Sequence, residues 1–199
     1  MLPSPPLSIP LLVPFEAQRL MRWLQRQDPD AAAHSRRVAV LAVALARELG
    51  LESCELAEVD LGARLHDVGK GLLPRSLVGK TGPPTPTERF QLRTHTLLGA
   101  RLLRDARLPE PLATVAATHH EWWDGGGYPL GLRGEDIPLS ARITAVADAF
   151  DAMTVRRCYR EARTPEVALE ELRRGSGSQF CPEVIAAFDP GLAAPERLA

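Results

Sequence analysis

The chain has only five histidines, His34, His66, His95, His119 and His120. Each keeps company with other polar motif residues: HDVGK at 66–70, HHEWWDGGGYP at 119–129, and ADAFDAMT at 147–154. A lone histidine is usually a satisfied core or surface residue, but that reading weakens when every histidine belongs to such a group. Together with Asp67 and Asp148 they form a set of imidazoles and carboxylates suited to two divalent transition metals sharing one bridging carboxylate. Whatever fold the chain adopts must gather these distant segments around one metal centre. Asp67, next to His66 at a helix end, is the natural bridge, because neighbouring side chains can splay there toward different metals. His119 and His120 are consecutive, and consecutive residues inside a helix point about 100° apart. Both can serve one ion only near a helix end, and the glycine run downstream supplies one.

The remainder reads as helices separated by proline and glycine. From Phe15 to about Gln27, Leu20, Met21 and Leu24 recur at helical spacing. Asp30 is placed to cap a second helix carrying His34, Val38, Leu41, Leu45 and Leu49 before Gly50 stops it. A third covers about 54–66. After the loop LLPRSLVGKTGPPTP, the run Thr85-Pro86-Thr87-Glu88 offers a capping box with a first-turn proline, opening a helix expected to hold His95 in its interior. Another runs from about Pro109 to the His119-His120 pair. DGGGYPLGLRGEDIP reads as a long ordered loop, and Ser140 is expected to cap the helix carrying Asp148, Asp151 and Met153. Thr164-Pro165-Glu166 and Pro182 begin the last two. With no convincing period-2 alternation, the fold class is all-α: a single domain of about seven helices around a metal site.

A length of 199 residues suits one core and one domain. The expected division is a proline-rich leader at 1–13, the domain at 14–190 and a tail at 191–199. A net charge of −1 argues against a nucleic-acid duplex as partner, since no basic excess exists to displace counterions. Cys54, Cys158 and Cys181 are odd in number and show no CxxC pairing, which suits a reducing cytoplasm better than a disulfide framework. The apolar stretch SIPLLVPF is too short and too proline-broken to span a membrane, and it lacks the features of a secretory signal.

In order and spacing, HDVGK (66–70), THTLLGARLL (94–103), the segment from HHEWWDGGGYP to ADAFDAMT (119–154), RRCYR (156–160) and QFCPEVIAAF (179–188) resemble the HD-GYP domain, a branch of the HD superfamily of metal-dependent phosphohydrolases. The resemblance covers about residues 28–188. It implies hydrolysis of the second messenger cyclic di-GMP to pGpG and, in some members, on to GMP, lowering messenger levels in bacterial signalling. It also implies His34, His66, Asp67 and Asp148 as ligands of a first metal, and Asp67, His95, His119 and His120 as ligands of a second, with iron or manganese favoured. Asp67 and Lys70 carry the catalytic roles it implies, Lys70 by touching a phosphate oxygen. Gly127 and Tyr128 line the cleft, and Arg157 and Arg160 contact phosphate or guanine edges, while Arg156 and Arg163 read as a solvated face. Asp151 is expected to support or cap rather than ligate, Glu121 to orient a histidine, and Trp122 and Trp123 to pack beneath the loop.

Three features depart from the family pattern. HDVGKGLLPRS lacks an aspartate common after this motif, which alters a loop rather than the metals. QFCP puts Cys181 where an aspartate would cap the last helix, a loss of about 1 kcal/mol. Asp30 stands where members with three metals carry a glutamate, so two metals are expected, with a third left open near Asp30. The alternatives are a non-catalytic cyclic-dinucleotide-binding or interaction module, signalling to a protein partner through the GYP loop, and an HD-type nucleotidase acting on dNMPs or dNTPs. A homodimer is also left open.

Overall fold

The computed structural model describes residues 13–155, 162–189 and 191. Among them are ten α-helices and two short 3₁₀ turns, with a single isolated bridge (Ser176 to Phe180) as the only β pairing. The helices are α1 (Phe15–Gln27), α2 (Pro29–Glu48), α3 (Ser53–Leu65), α4 (Arg75–Val78), α5 (Pro86–Arg93), α6 (His95–Asp105), α7 (Glu110–Thr118), α8 (Leu139–Thr154), α9 (Pro165–Arg174) and α10 (Pro182–Ala186). The all-α expectation holds. The count exceeds seven because α4 and α10 are single short turns and because one expected helix is two.

That split falls at Thr94. The helix expected to carry His95 inside it ends at Arg93, and His95 instead opens α6. The Thr94 hydroxyl donates to the Gln91 carbonyl at 2.7 Å, closing α5 locally and letting the chain turn. The capping box forms as the sequence indicated: the Thr85 hydroxyl accepts from the Glu88 amide at 3.3 Å and Glu88 accepts from the Thr85 amide at 2.7 Å. Two other caps move. Asp28, not Asp30, caps α2 by accepting from the Ala31 amide at 2.9 Å, which puts Pro29 at the first helical position where its missing N–H costs nothing. α8 begins after Pro138, so Ser140 lies inside its first turn and caps nothing. Cys181 precedes α10 without a capping bond from its side chain, in line with the lost aspartate.

Two apolar clusters meet along α3. One joins α2, α3, α8, α9 and α10 through Val38, Leu41, Leu45, Val59, Ile143, Phe150, Leu172 and Val184. The other joins α1, α3, α6 and α7 through Ala17, Leu65, Leu103, Leu112 and Ala116. Alanine at many contact positions lets helices approach closely. Gly62 does the same on α3, where a Cβ would come within 3.1 Å of Val115. α3 therefore belongs to both clusters, and its C-terminal end delivers His66 and Asp67 to the seam between them. No helix among the described residues is long and apolar enough to cross a membrane.

Candidate metal centre

Helix C-termini create the centre. The last carbonyls of an α-helix have no intrahelical donor. His66 follows α3 and its Nδ1 lies 2.6 Å from the Ala63 carbonyl. His95 follows α5 with Nδ1 2.6 Å from the Leu92 carbonyl, and His119 follows α7 with Nδ1 3.1 Å from the Ala116 carbonyl. A carbonyl can only accept, so Nδ1 carries the hydrogen in all three rings and each Nε2 presents a bare lone pair. All three rings are buried and turned inward. Burial, and then the neighbouring imidazoles, hold His119 well below its ordinary pKa, and burial brings His120 down to about 4. Both rings stay neutral at physiological pH.

Asp67 stands between two groups of donors. Its Oδ1 is 3.3 Å from His95 Nε2 and 3.8 Å from His119 Nε2. Its Oδ2 is 3.3 Å from His66 Nε2 and 4.0 Å from His34 Nε2. Donor atoms of Asp67, His95, His119 and His120 lie within 4.8 Å of one another, and so do those of His34, His66 and Asp67. Asp148 joins the second group from α8, with Oδ1 3.0 Å from His34 Nε2. Burial pushes the Asp67 carboxyl up, but Lys70 and His66 outweigh it and hold the group well below the usual carboxylate range; His34 does the same for Asp148.

The donor set fits divalent cations on grounds internal to the structure. Asp67 Oδ1 and His66 Nε2 are buried polar atoms with no hydrogen-bond partner, although buried polar groups are nearly always satisfied. His95 Nε2 faces His119 Nε2 at 3.4 Å, and the tautomers fixed by their Nδ1 bonds leave two lone pairs pointing at each other. A cation between them resolves that conflict. Asp30 is exposed in the first turn of α2 and belongs to neither group of donors.

Around these ligands the structure adds a ladder that sequence reading saw only in part. His34 Nδ1 lies 2.6 Å from Asp151 Oδ2, and Asp151 also accepts from Arg37 Nε at 2.6 Å and Arg37 Nη2 at 2.9 Å. α2 offers His34 and Arg37 three residues apart, and α8 offers Asp148 and Asp151 at the same spacing, so both pairs share a helix face. Arg37 had no motif to mark it, but its spacing from His34 was a usable signal. Burial would lower the His34 pKa; bonds to Asp148 and Asp151 overcome it and raise it to about 9. Replacing Asp151 with asparagine should weaken divalent-metal binding by about 10- to 100-fold, since removing such a supporting partner loosens a ligand's orientation. Metal titration of the variant checks this, and an unchanged affinity would show that His34 needs no such support.

Lys70, on the 3₁₀ turn Val68–Leu72, places its ammonium 2.5 Å from Asp67 Oδ2. Tyr128 stacks on His120 with ring centroids 4.9 Å apart and planes 28° from parallel. Gly127 cannot carry a side chain, for a Cβ would lie 2.2 Å from the Trp122 amide nitrogen. Its close approach is to the protein's own backbone rather than to open cleft. Glu121 does not orient a histidine. Its buried carboxylate accepts from the amides of Leu130 at 2.6 Å and Leu132 at 3.1 Å, pinning the loop that carries Tyr128. Trp123 packs against the larger apolar cluster with Arg142 over its ring at 5.5 Å, whereas Trp122 is exposed. Arg157 and Arg160 lie outside the described residues.

Comparison with known proteins agrees with this architecture. A family model described as "HD domain" matches residues 18–184, and the chain belongs to the HD-domain family, in the branch that carries the GYP motif. It is 39% identical over 177 residues to a cyclic di-GMP phosphodiesterase of Thermotoga maritima, covering 87% of this chain and 48% of that protein. It is 38% identical over 168 residues to 3′3′-cGAMP-specific phosphodiesterase 2 of Vibrio cholerae, covering 83% of this chain and 32% of that protein. The chain thus spans about half or less of the length of these curated relatives. The HD domain of the L. monocytogenes phosphodiesterase PgpH, solved in complex with cyclic-di-AMP, shares the fold with a TM-score of 0.67 at 20% identity, over 88% of this chain and 94% of that one.

Proposed function

We propose that the chain is a metal-dependent phosphodiesterase that opens cyclic di-GMP to pGpG in the cytoplasm, and that His34, His66, Asp67 and Asp148 hold one divalent ion and Asp67, His95, His119 and His120 a second. The observation that carries this reading is Asp67, whose Oδ2 faces the bare Nε2 of His66 and whose Oδ1 faces that of His95. Iron or manganese suits ligands of this mixed nitrogen and oxygen character. Two such ions would activate a water at neutral pH and offset the charge that grows on the phosphoryl oxygens. The chain's own part is to keep Asp67 and Asp148 ionised, to fix the imidazole tautomers, and to hold the site away from bulk solvent. Lys70 is close enough to Asp67 for its ammonium to reach a phosphate oxygen at the same centre and add a charge-assisted hydrogen bond. Tyr128 walls the cleft beside His120, held there by Gly127 and Glu121, and Arg157 and Arg160 complete the proposed substrate contacts.

The relatives act on more than one cyclic dinucleotide, as their names state. Product analysis after incubating the manganese- or iron-loaded protein with cyclic di-GMP, 3′3′-cGAMP, cyclic di-AMP and dNTPs separates the readings. Linear pGpG from cyclic di-GMP is the expected result. Preferential cleavage of 3′3′-cGAMP would reassign the substrate, hydrolysis of dNTPs alone would mark a nucleotidase, and binding without products would mark a non-catalytic module.

A further inference from the structure

Arg93 is an exposed cation set over Tyr128, next to the metal centre. It is the last residue of α5, two positions before His95. Its guanidinium carbon lies 4.7 Å from the centroid of the Tyr128 ring, within the range of a cation–π contact. Tyr128 in turn stacks on His120. Guanidinium, phenol and imidazole therefore form a row of planar groups leading outward from the donors to solvent. His120 is one of the donors grouped with Asp67, His95 and His119, which places this row beside the centre rather than on a remote surface.

Arg104, on α6, is held by Glu110 at 2.5 Å, and Arg64, on α3, by Asp60 at 2.9 Å, whereas Arg93 rests on an aromatic ring. Among the described residues no carboxylate pairs with Arg93 and no hydrogen bond occupies its N–H groups. One face of the guanidinium is fixed on Tyr128, and its five donors are left at the edge. That arrangement is preorganised for an oxyanion, since the planar fork loses little freedom on binding. A cyclic dinucleotide carries two phosphodiesters. Only one can sit at the His/Asp centre, so the other needs a cation at a distance from it.

Resting on the phosphodiesterase reading above, we propose that Arg93 binds the second, uncleaved phosphate of the dinucleotide, with Tyr128 as the platform that aims it. Arg93 would then help to distinguish a dinucleotide from a simple phosphodiester, which the metal ligands and Lys70 cannot do.

The test compares Arg93→Ala and Arg93→Lys with the unaltered protein. It measures binding and steady-state hydrolysis of cyclic di-GMP and cyclic di-AMP, and hydrolysis of bis(p-nitrophenyl) phosphate, which has one phosphate. For Arg93→Ala, KM and Kd for both cyclic dinucleotides should rise about tenfold or more, as expected for loss of a charged hydrogen bond. The kcat should change much less, and kcat/KM for bis(p-nitrophenyl) phosphate should fall by a far smaller factor. Arg93→Lys should recover part of the binding by restoring charge without the fork. An unchanged KM and Kd would overturn the proposal. An equal fall for all three substrates with loss of bound metal would overturn it too, making Arg93 a support for Tyr128 and His120. A response confined to cyclic di-GMP would overturn it in favour of contact with a guanine edge. Failure of the unaltered protein to cleave any cyclic dinucleotide, while still cleaving bis(p-nitrophenyl) phosphate, is a separate outcome. It removes cyclic dinucleotides as the substrates of the proposed phosphodiesterase, and the change in Kd then decides the role of Arg93.

Discussion

Replacing Asp67 with asparagine should lower phosphodiester hydrolysis by about 10³-fold or more, equivalent to about 4 kcal/mol of transition-state stabilisation. The substitution keeps the shape of the side chain but removes its charge and one of its two acceptor oxygens. Those oxygens face different histidine groups, Oδ2 toward His66 and Oδ1 toward His95, so no rotation of the amide can serve both. Lys70 would also lose its closest carboxylate. Bound metal should drop below that of the unaltered protein while the helical circular dichroism remains, because Asp67 caps no helix with its side chain. Metal analysis and turnover on the same preparation check both parts. Full metal content with full turnover in the variant would remove Asp67 from the centre of the account.

The second large effect is expected at Gly69. A Cβ there would lie 2.0 Å from the His95 carbonyl oxygen and 2.6 Å from the Gly99 amide nitrogen, with backbone atoms on both sides that no rotamer change can move. Gly69→Ala must therefore push the 3₁₀ turn Val68–Leu72 away from the first turn of α6. Overpacking against backbone costs about 3 kcal/mol or more, which in a chain of this size lowers Tm by roughly 6–12 °C. The displacement also separates His95 from Asp67, so metal affinity should fall together with stability. Gly82→Ala is the matching control, since a Cβ there meets nothing within 4 Å, and its effect should stay within about 0.5 kcal/mol. Thermal melts of both variants decide the matter, and a Gly69→Ala protein melting with the unaltered one would contradict the close approach.

Much of this was legible in the sequence because metal-ligand chemistry uses few residue types. Five histidines, each tied to a local motif, leave little choice about what the fold must bring together, and proline, glycine and the capping box at Thr85 mark most helix ends. The misreadings share a physical cause. Nothing in QLRTHT breaks a helix by composition, so the division at Thr94 comes from tertiary demand: His95 turns its Nδ1 back onto the end of α5. Asp28 and Asp30 are equally good caps by type, and only the position of Pro29 favours the first. Glu121 sits beside two histidines in sequence, yet the amides of Leu130 and Leu132, nine and eleven residues on, are its partners. Sequence spacing cannot show a loop folding back. Arg37 and Arg93 lie outside any motif, and only the packing of α2 on α8 and of α5 beside the GYP loop reveals what they touch.

The number of metal ions the chain holds tests the shared role of Asp67 most directly. Anaerobic reconstitution with Fe²⁺ or Mn²⁺, removal of free metal by gel filtration, and elemental analysis against protein concentration give that number. Two ions per chain are predicted, one for each histidine group that Asp67 joins. A protein that saturates with one ion, or retains none, would contradict it.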